Sequence, residues 1–234
     1  MEERELMPDT QLVKVNYNSV VPKTRLKKLN NFYLFGKRTL DICGALVGVL
    51  FLGLTLIFIS FIYLFGENKG PIFFKQKRVG KNGKVFYIYK YRSMVVNAEE
   101  KLKTNKKLYS KYIANNYKLE PEEDPRITKL GAFLRKTSID EIPQFINVLK
   151  GEMSLVGPRP VVEEELKEYE YKQHELLSVK PGITGYWAAS GRSEVIYPER
   201  VDLELYYVYN QSFLFDIKIL MLTIINVALR KGAY

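Results

Sequence analysis

Between Ser138 and Gln144 the chain reads Ser-Ile-Asp-Glu-Ile-Pro-Gln, which sets two carboxylates, Asp140 and Glu141, side by side. Ser138 followed three residues later by Glu141 has the form of a capping box, so both acids are expected in a first helical turn, near the positive end of the helix dipole. A plain helix start accounts for such acids by itself. A chemical role accounts for them as well, because Arg126, Arg135 and Lys136 lie close by in the sequence. One or two carboxylates, completed by phosphate oxygens and water, suit Mg²⁺. A carboxylate can also attack phosphorus and split one hard transfer into two easier ones through an acyl phosphate, provided cations neutralise the transferring group.

Further along, Pro158-Arg159-Pro160 fixes φ on either side of an arginine, giving its guanidinium fork a stiff platform for phosphate; a bland turn has the same sequence. Pro181-Gly182-Ile183-Thr184-Gly185 then leads through Tyr186-Trp187 to Ser190-Gly191-Arg192. Glycines there let a backbone approach a ligand closely, Trp187 suits either a base or a membrane interface, and Arg192 is a further candidate for phosphate. Walker A and Gly-x-Gly-x-x-Gly loops are missing, and no Cys/His cluster suits zinc. His174 and Cys43 each stand alone in the composition: His174 cannot by itself build a Ser-His or a multi-histidine metal site, and Cys43 rules out an internal disulfide framework.

These residues need elements to hold them. Ile72-Phe73-Phe74 and Val85 to Tyr89 read as strands around Lys81-Asn82-Gly83-Lys84, a hairpin signal. Val95 to Tyr117 is helical and rich in lysine, and Ile127 to Leu134 has apolar residues at helical spacing. Upstream, Ile42 to Phe65 is free of charge and long enough to cross a hydrocarbon core. Basic residues crowd both of its flanks, and the positive-inside rule draws both to one face, which favours a helix that enters and returns. Gly44, Gly48 and Gly53 are the weak points at which it could bend. Phe213 to Leu229, interrupted by Asp216 and Lys218, suits an amphipathic interfacial helix or equally a buried one.

With 234 residues, the chain has room for one catalytic domain and an appendage. The expected division is a polar extension over 1–36, a membrane-embedded helix over 37–66 and a cytoplasmic catalytic domain over 67–234. The expected class is α+β: a mostly helical compact domain with a small β-hairpin, an embedded and re-entrant N-terminal helix, and interfacial amphipathic helices. A net charge of +10 calls for an acidic partner, met by anionic lipid, a phosphorylated substrate or nucleic acid.

Eight stretches, in this order, closely resemble the bacterial sugar transferases, the monotopic polyprenyl-phosphate phosphoglycosyl transferases. They are Lys37-Arg38-x-x-Asp41, Gly70 to Gln76, Tyr89 to Met94, Asp124 to Thr128, Ser138 to Glu141, Gly157 to Pro160, Pro181 to Gly185 and Asp202 to Tyr207. The resemblance implies a ping-pong transfer of a sugar 1-phosphate from a UDP-sugar to polyprenyl (undecaprenyl) phosphate at the cytoplasmic face of a bacterial inner membrane. It makes Asp140 the nucleophile and Glu141 its partner, with Mg²⁺, and UMP the leaving group. Pro158-Arg159-Pro160 matches its phosphate motif, and Arg92 and Arg135 fall at basic positions of its site. Membrane lipid is an expected partner, nucleic acid is not, and a homo-oligomer is left open. Family members usually bend the membrane helix at a Ser-Pro pair; the equivalent pair here is Gly53-Leu54, so the bend loses its usual cause. The alternative reading, a membrane-anchored basic module for lipid or nucleic acid, leaves Ser138–Glu141 and Pro158–Pro160 without purpose.

Overall fold

The computed structural model describes residues 26, 29–114, 119, 123–191 and 195–229. The tail expected over 1–36 lies mostly outside the described residues, as does Arg192. The chain opens with helix α1 (Asn31–Ile62), strands β1 (Phe73–Val79) and β2 (Val85–Tyr91), and helices α2 (Ala98–Thr104) and α3 (Lys106–Ala114). Helix α4 (Lys129–Lys136) precedes a 3-10 helix, Ile139–Gln144, that runs into α5 (Phe145–Lys150) and β3 (Ser154–Val156). A 3-10 segment, Glu163–Lys172, continues into α6 (Gln173–Leu176), followed by β4 (Gly182–Thr184), α7 (Tyr186–Ser190), α8 (Glu199–Tyr209) and α9 (Phe213–Ala228). The mixed, mainly helical class is as expected.

The hairpin forms where the sequence puts it, with both strands longer than expected. β1 and β2 pair antiparallel from Phe73 opposite Tyr91 to Val79 opposite Val85. Asn82 at φ 59° and Gly83 at φ 75° supply the left-handed backbone that a tight hairpin turn needs. The lysine-rich helix is two helices, because Asn105 ends α2 and its side chain accepts the Leu108 N–H to start α3. A second sheet, β3 and β4 in parallel, was not foreseen. It rests on glycine: a Cβ on Gly157 would meet the Lys180 carbonyl at 2.5 Å, and one on Gly182 the Gly157 nitrogen at 2.1 Å. These glycines bring two backbone segments together; the close approach expected to a ligand is an approach to another strand.

Helix α1 begins before the expected position 37 and ends before 66. Asp41, Ala45, Gly48, Leu52 and Ile59 are buried along one seam, continued by Tyr63, while Leu50, Leu54, Ile57, Phe58 and Phe61 are exposed. Burying each large side chain of that seam contributes about 1.5–3 kcal/mol. The Lys37-Arg38-x-x-Asp41 motif is the polar anchor of the seam. Lys37 donates to the Val156 carbonyl and to Asp216, each at 3.0 Å. Arg38 donates to the carbonyls of Val148 and Leu149, closing the end of α5. Asp41 accepts from the Ser154 hydroxyl and the Leu155 N–H, both at 2.8 Å. At the far end Tyr63 donates to the Arg92 carbonyl, and Thr55 and Tyr91 share a hydrogen bond of 2.9 Å.

Gly44 and Gly48 are contact points and not weak points. Added Cβ atoms would meet Leu155 at 2.5 Å and the Phe145 ring at 2.2 Å. The helix is continuous through Gly53-Leu54. Helix α9 lies beside it, with Asp216 and Ile219 buried and Leu214, Met221, Ile224 and Leu229 exposed. Asp216 interrupts the apolar run because it is an internal acceptor, taking bonds from Tyr33, Lys37 and Tyr207.

Candidate active site

Asp140 and Glu141 sit on the 3-10 helix Ile139–Gln144, with Pro143 inside it. The capping box expected there does not form. Ser138 adopts left-handed φ 57° and its side chain does not cap the helix. A cap residue needs extended backbone to aim its oxygen at the first turn, and this one turns the other way. What fixes the segment is tertiary. Asn147, fully buried on α5, accepts the Tyr89 N–H at 3.1 Å and donates to the Tyr87 carbonyl at 2.7 Å, pinning the turn to β2. On the neighbouring stretch of β2, Lys90 donates to Glu141 at 2.7 Å.

The two carboxylates are therefore unequal. Glu141 has its lysine. Asp140 is 8% exposed and makes no ion pair among the described residues. Burial, and after it the charge of Glu141, push its carboxyl up to about 6, against the pull of Lys90 and Arg135. Arg135, half-buried in the last turn of α4, donates to the Ser93 hydroxyl at 2.8 Å; burial lowers its guanidinium while Asp140 acts to raise it. Gly131 allows that placement, since a Cβ there would sit 1.9 Å from the Ser93 carbonyl oxygen.

Other arginines named from sequence are engaged differently. Arg126 binds Asp124 through Nε at 2.8 Å and Nη2 at 2.7 Å, so it is paired away from Asp140. Arg92 donates to the carbonyls of Asn68, Pro71 and Met94 and stacks 5.0 Å from the Tyr63 ring centroid. It braces the Gly70-Pro71 turn against α1, and its guanidinium is not free for phosphate. Arg159, between Pro158 and Pro160, has its N–H directed at the Glu204 carboxylate at 3.2 Å. Its guanidinium lies 5.8 Å from the Trp187 ring centroid. Pro160 contributes its carbonyl, which accepts from Arg78 at 3.0 Å.

A buried carboxylate that lacks its own cation, facing an arginine and a lysine, is equipped for phosphorus chemistry. The model of the family described as bacterial sugar transferase matches residues 32–230. The chain belongs to that family. As a member it is 47% identical over 202 residues to a galactosyl transferase of Streptococcus agalactiae, covering 86% of this chain and 44% of the relative. It is 40% identical over 202 residues to an exopolysaccharide production protein of Rhizobium meliloti, covering 85% and 88%. A UDP-glucose:undecaprenyl-phosphate glucose-1-phosphate transferase of Escherichia coli is 40% identical over 176 residues, covering 72% and 35%. The chain thus spans less than half the length of the first and last of these.

Sequence reasoning did not single out Lys90, Asn147, Arg78 or Glu204, which the fold brings to the carboxylate segment and to Pro158-Arg159-Pro160. Lys90 and Arg78 lie on the same face of the hairpin, since their partners Phe74 and Phe86 stand at even spacing in the β1–β2 register. That alternation was legible in the sequence once the strands were drawn at full length. Asn147 carried no such signal, because its burial depends on where α5 meets β2.

Proposed function

We propose that the chain transfers a sugar 1-phosphate from a UDP-sugar to polyprenyl phosphate through an aspartyl phosphosugar, releasing UMP. The observation that carries this reading is Asp140, nearly buried, raised to about 6, and facing Arg135 and Lys90 without an ion pair of its own. One carboxylate oxygen attacks the β-phosphorus, the bond to the bridging oxygen breaks, and its electron pair leaves with UMP. The phosphate oxygen of the carrier then attacks the same phosphorus and expels Asp140, giving polyprenyl diphosphate sugar. Arg135 and Lys90 offset charge on the transferring group, and the low exposure of Asp140 limits hydrolysis of the intermediate by water. The printed names of the relatives, which speak of galactosyl transfer and of UDP-glucose with undecaprenyl phosphate, support the same class of reaction.

Asp140 and Glu141 fit Mg²⁺ as hard oxygen donors, one of them lacking a paired cation. No group of three or more potential metal ligands exists among the described residues, so the pair would hold the ion together with substrate phosphate and water. Bound there, the ion supplies charge neutralisation on the diphosphate oxygens.

The apolar outer faces of α1 and α9 support a seat in the inner membrane with the site at its cytoplasmic face. Both ends of α1 bond to the same catalytic body, through Lys37 and Asp41 at one end and Tyr63 at the other, which supports both flanks lying on one face of the membrane over spanning. The test of function is incubation with a radiolabelled UDP-sugar panel, polyprenyl phosphate and Mg²⁺. Label entering lipid with release of UMP is expected. Salt-sensitive lipid binding without turnover would instead favour the basic-module reading. Single cysteines near residues 28 and 84 in a Cys43→Ser background, probed with an impermeant maleimide on intact cells, should both stay unlabelled.

A further inference from the structure

The glutamate proposed above as a metal donor already carries a cation. The Lys90 ammonium stands 2.7 Å from Glu141 Oε1, the separation of a charge-assisted hydrogen bond. Lysine offers donors and no acceptor, so it cannot join the ligand set of a metal. Magnesium, for its part, needs oxygen ligands at about 2.0–2.1 Å in an octahedron. An ammonium and a divalent ion on the same carboxylate would be like charges at close range in a partly buried site. One of them has to move. The backbone of Lys90 is fixed: it lies opposite Phe74 in the β1–β2 ladder, the Tyr89 N–H donates to Asn147, and the Tyr91 hydroxyl shares a hydrogen bond with Thr55. Its ammonium is not, because it rides on a flexible four-carbon stem. The side chains of Lys90 and Glu141 are 19% and 21% exposed, so an ion from solvent can reach them. Arg135 differs, since its guanidinium is tied to Ser93. Charge fits an exchange as well. With both acids ionised, Asp140 and Glu141 balance Lys90 and Arg135. A divalent ion added alone upsets that balance, whereas one that arrives with a diphosphate brings its own negative charge.

We propose that Lys90 is an exchangeable counter-ion: it holds the place of the divalent cation on Glu141 and moves from that carboxylate to the transferring phosphate when the cation arrives with the nucleoside diphosphate sugar. The inference rests on the transfer reading above and adds an order of events to it. Before substrate comes, Lys90 keeps Glu141 oriented and, with Arg135, offsets the charge of Asp140. When diphosphate and cation come together, the ammonium leaves Glu141 by rotation of its own stem and meets phosphate oxygens beside Asp140. The exchange couples the two ligands. The cation binds poorly by itself, because Lys90 competes for Glu141, and well with a diphosphate, which gives the ammonium another acceptor. A lysine that only braces Glu141 makes the opposite prediction, since removing a brace weakens the metal site.

Binding of Mn²⁺ to the full chain in detergent, without nucleotide, reads the competition directly, with the free ion followed by its EPR signal. Lys90→Gln is expected to bind Mn²⁺ at least about tenfold more tightly than the parent. Lys150→Gln loses the same charge, but the Lys150 ammonium donates to the hydroxyl of Tyr89, on the opposite face of the strand from Lys90. That variant is expected to stay within about threefold of the parent. In the transfer assay Lys90→Gln is expected to slow turnover at least about tenfold and yet to lower the Mg²⁺ needed for half-maximal rate. Equal or weaker Mn²⁺ binding in Lys90→Gln, or no Mn²⁺ bound by either chain, would overturn the exchange, as would Lys150→Gln gaining as much as Lys90→Gln. If Lys90→Gln unfolds, acylation of lysines in the parent, read by peptide mass spectrometry, decides. MgCl₂ is expected to raise modification of Lys90 at least about threefold over NaCl of equal ionic strength and to leave Lys150 unchanged. No rise at Lys90 would overturn the exchange. A parent that transfers no sugar phosphate while Lys90→Gln gains Mn²⁺ affinity would remove the transfer reading alone. A parent that transfers label while Lys90→Gln gains none would remove the exchange alone.

Discussion

Two buried aspartates in this chain have opposite surroundings. Asp216, on α9, has no exposure and takes bonds from the Tyr33 hydroxyl at 2.9 Å, the Lys37 ammonium at 3.0 Å and the Tyr207 hydroxyl at 2.7 Å. Asp140 is almost as buried, yet its nearest carboxylate neighbour takes the available lysine and Arg135 donates to Ser93. The first arrangement satisfies every lone pair it can and fastens α1 to α8 and α9. The second leaves a carboxylate that favours its neutral form, up at about 6, and so holds a destabilised charge where a substrate can complete it. The difference separates a joint from a reactive centre more clearly than burial does.

Exchanging Asp140→Asn should break the reactive side of the comparison outright. Transfer is expected to fall by roughly 10⁴-fold, the scale on which a nucleophile matters, with unfolding unchanged or shifted up. Purified variant with near-parental turnover would remove Asp140 from the chemistry. Glu141→Gln should act less severely, lowering the rate about a hundredfold and raising the Mg²⁺ needed for half-maximal rate. Excess EDTA should stop the parent chain, and full activity in EDTA would contradict the metal assignment.

The pH profile sharpens the same contrast. Attack needs the ionised form, so the transfer rate should drop about tenfold per pH unit below about 6 and level off above it. Stability runs the other way. Asp140 is raised from its ordinary 3.8 to about 6, so the folded chain holds the proton more tightly, and the contribution of this group to stability falls as pH rises between those values. Asp140→Asn should remove that slope in pH-dependent unfolding. On the joint side, Lys37→Met should cost about 3 kcal/mol of stability, since Asp216 keeps its two tyrosine donors but loses its cation. Turnover per folded molecule should stay within about twofold, and a selective loss of turnover would make Lys37 more than an anchor.

Much of this was legible in the chain itself. The Asn82-Gly83 turn, the apolar run of α1, the paired acids and the Pro-Arg-Pro segment follow from local chemistry that neighbouring residues impose. Period and turn type are properties of a few consecutive residues, so the sequence by itself determined where the hairpin and the long helix lie. It determined neither their partners nor which cations face which acids. The Gly44 and Gly48 contacts, the closure of β3 on β4 at Gly157, and which arginine braces backbone and which faces Asp140 depend on segments far apart in the chain. Arg92 and Arg135 look alike in sequence, and only packing places the first against backbone carbonyls and the second beside Asp140. The capping box failed for the same reason: the pull of Asn147 and Lys90 on β2 sets the turn, and tertiary contacts of that strength override a local preference worth about 1 kcal/mol.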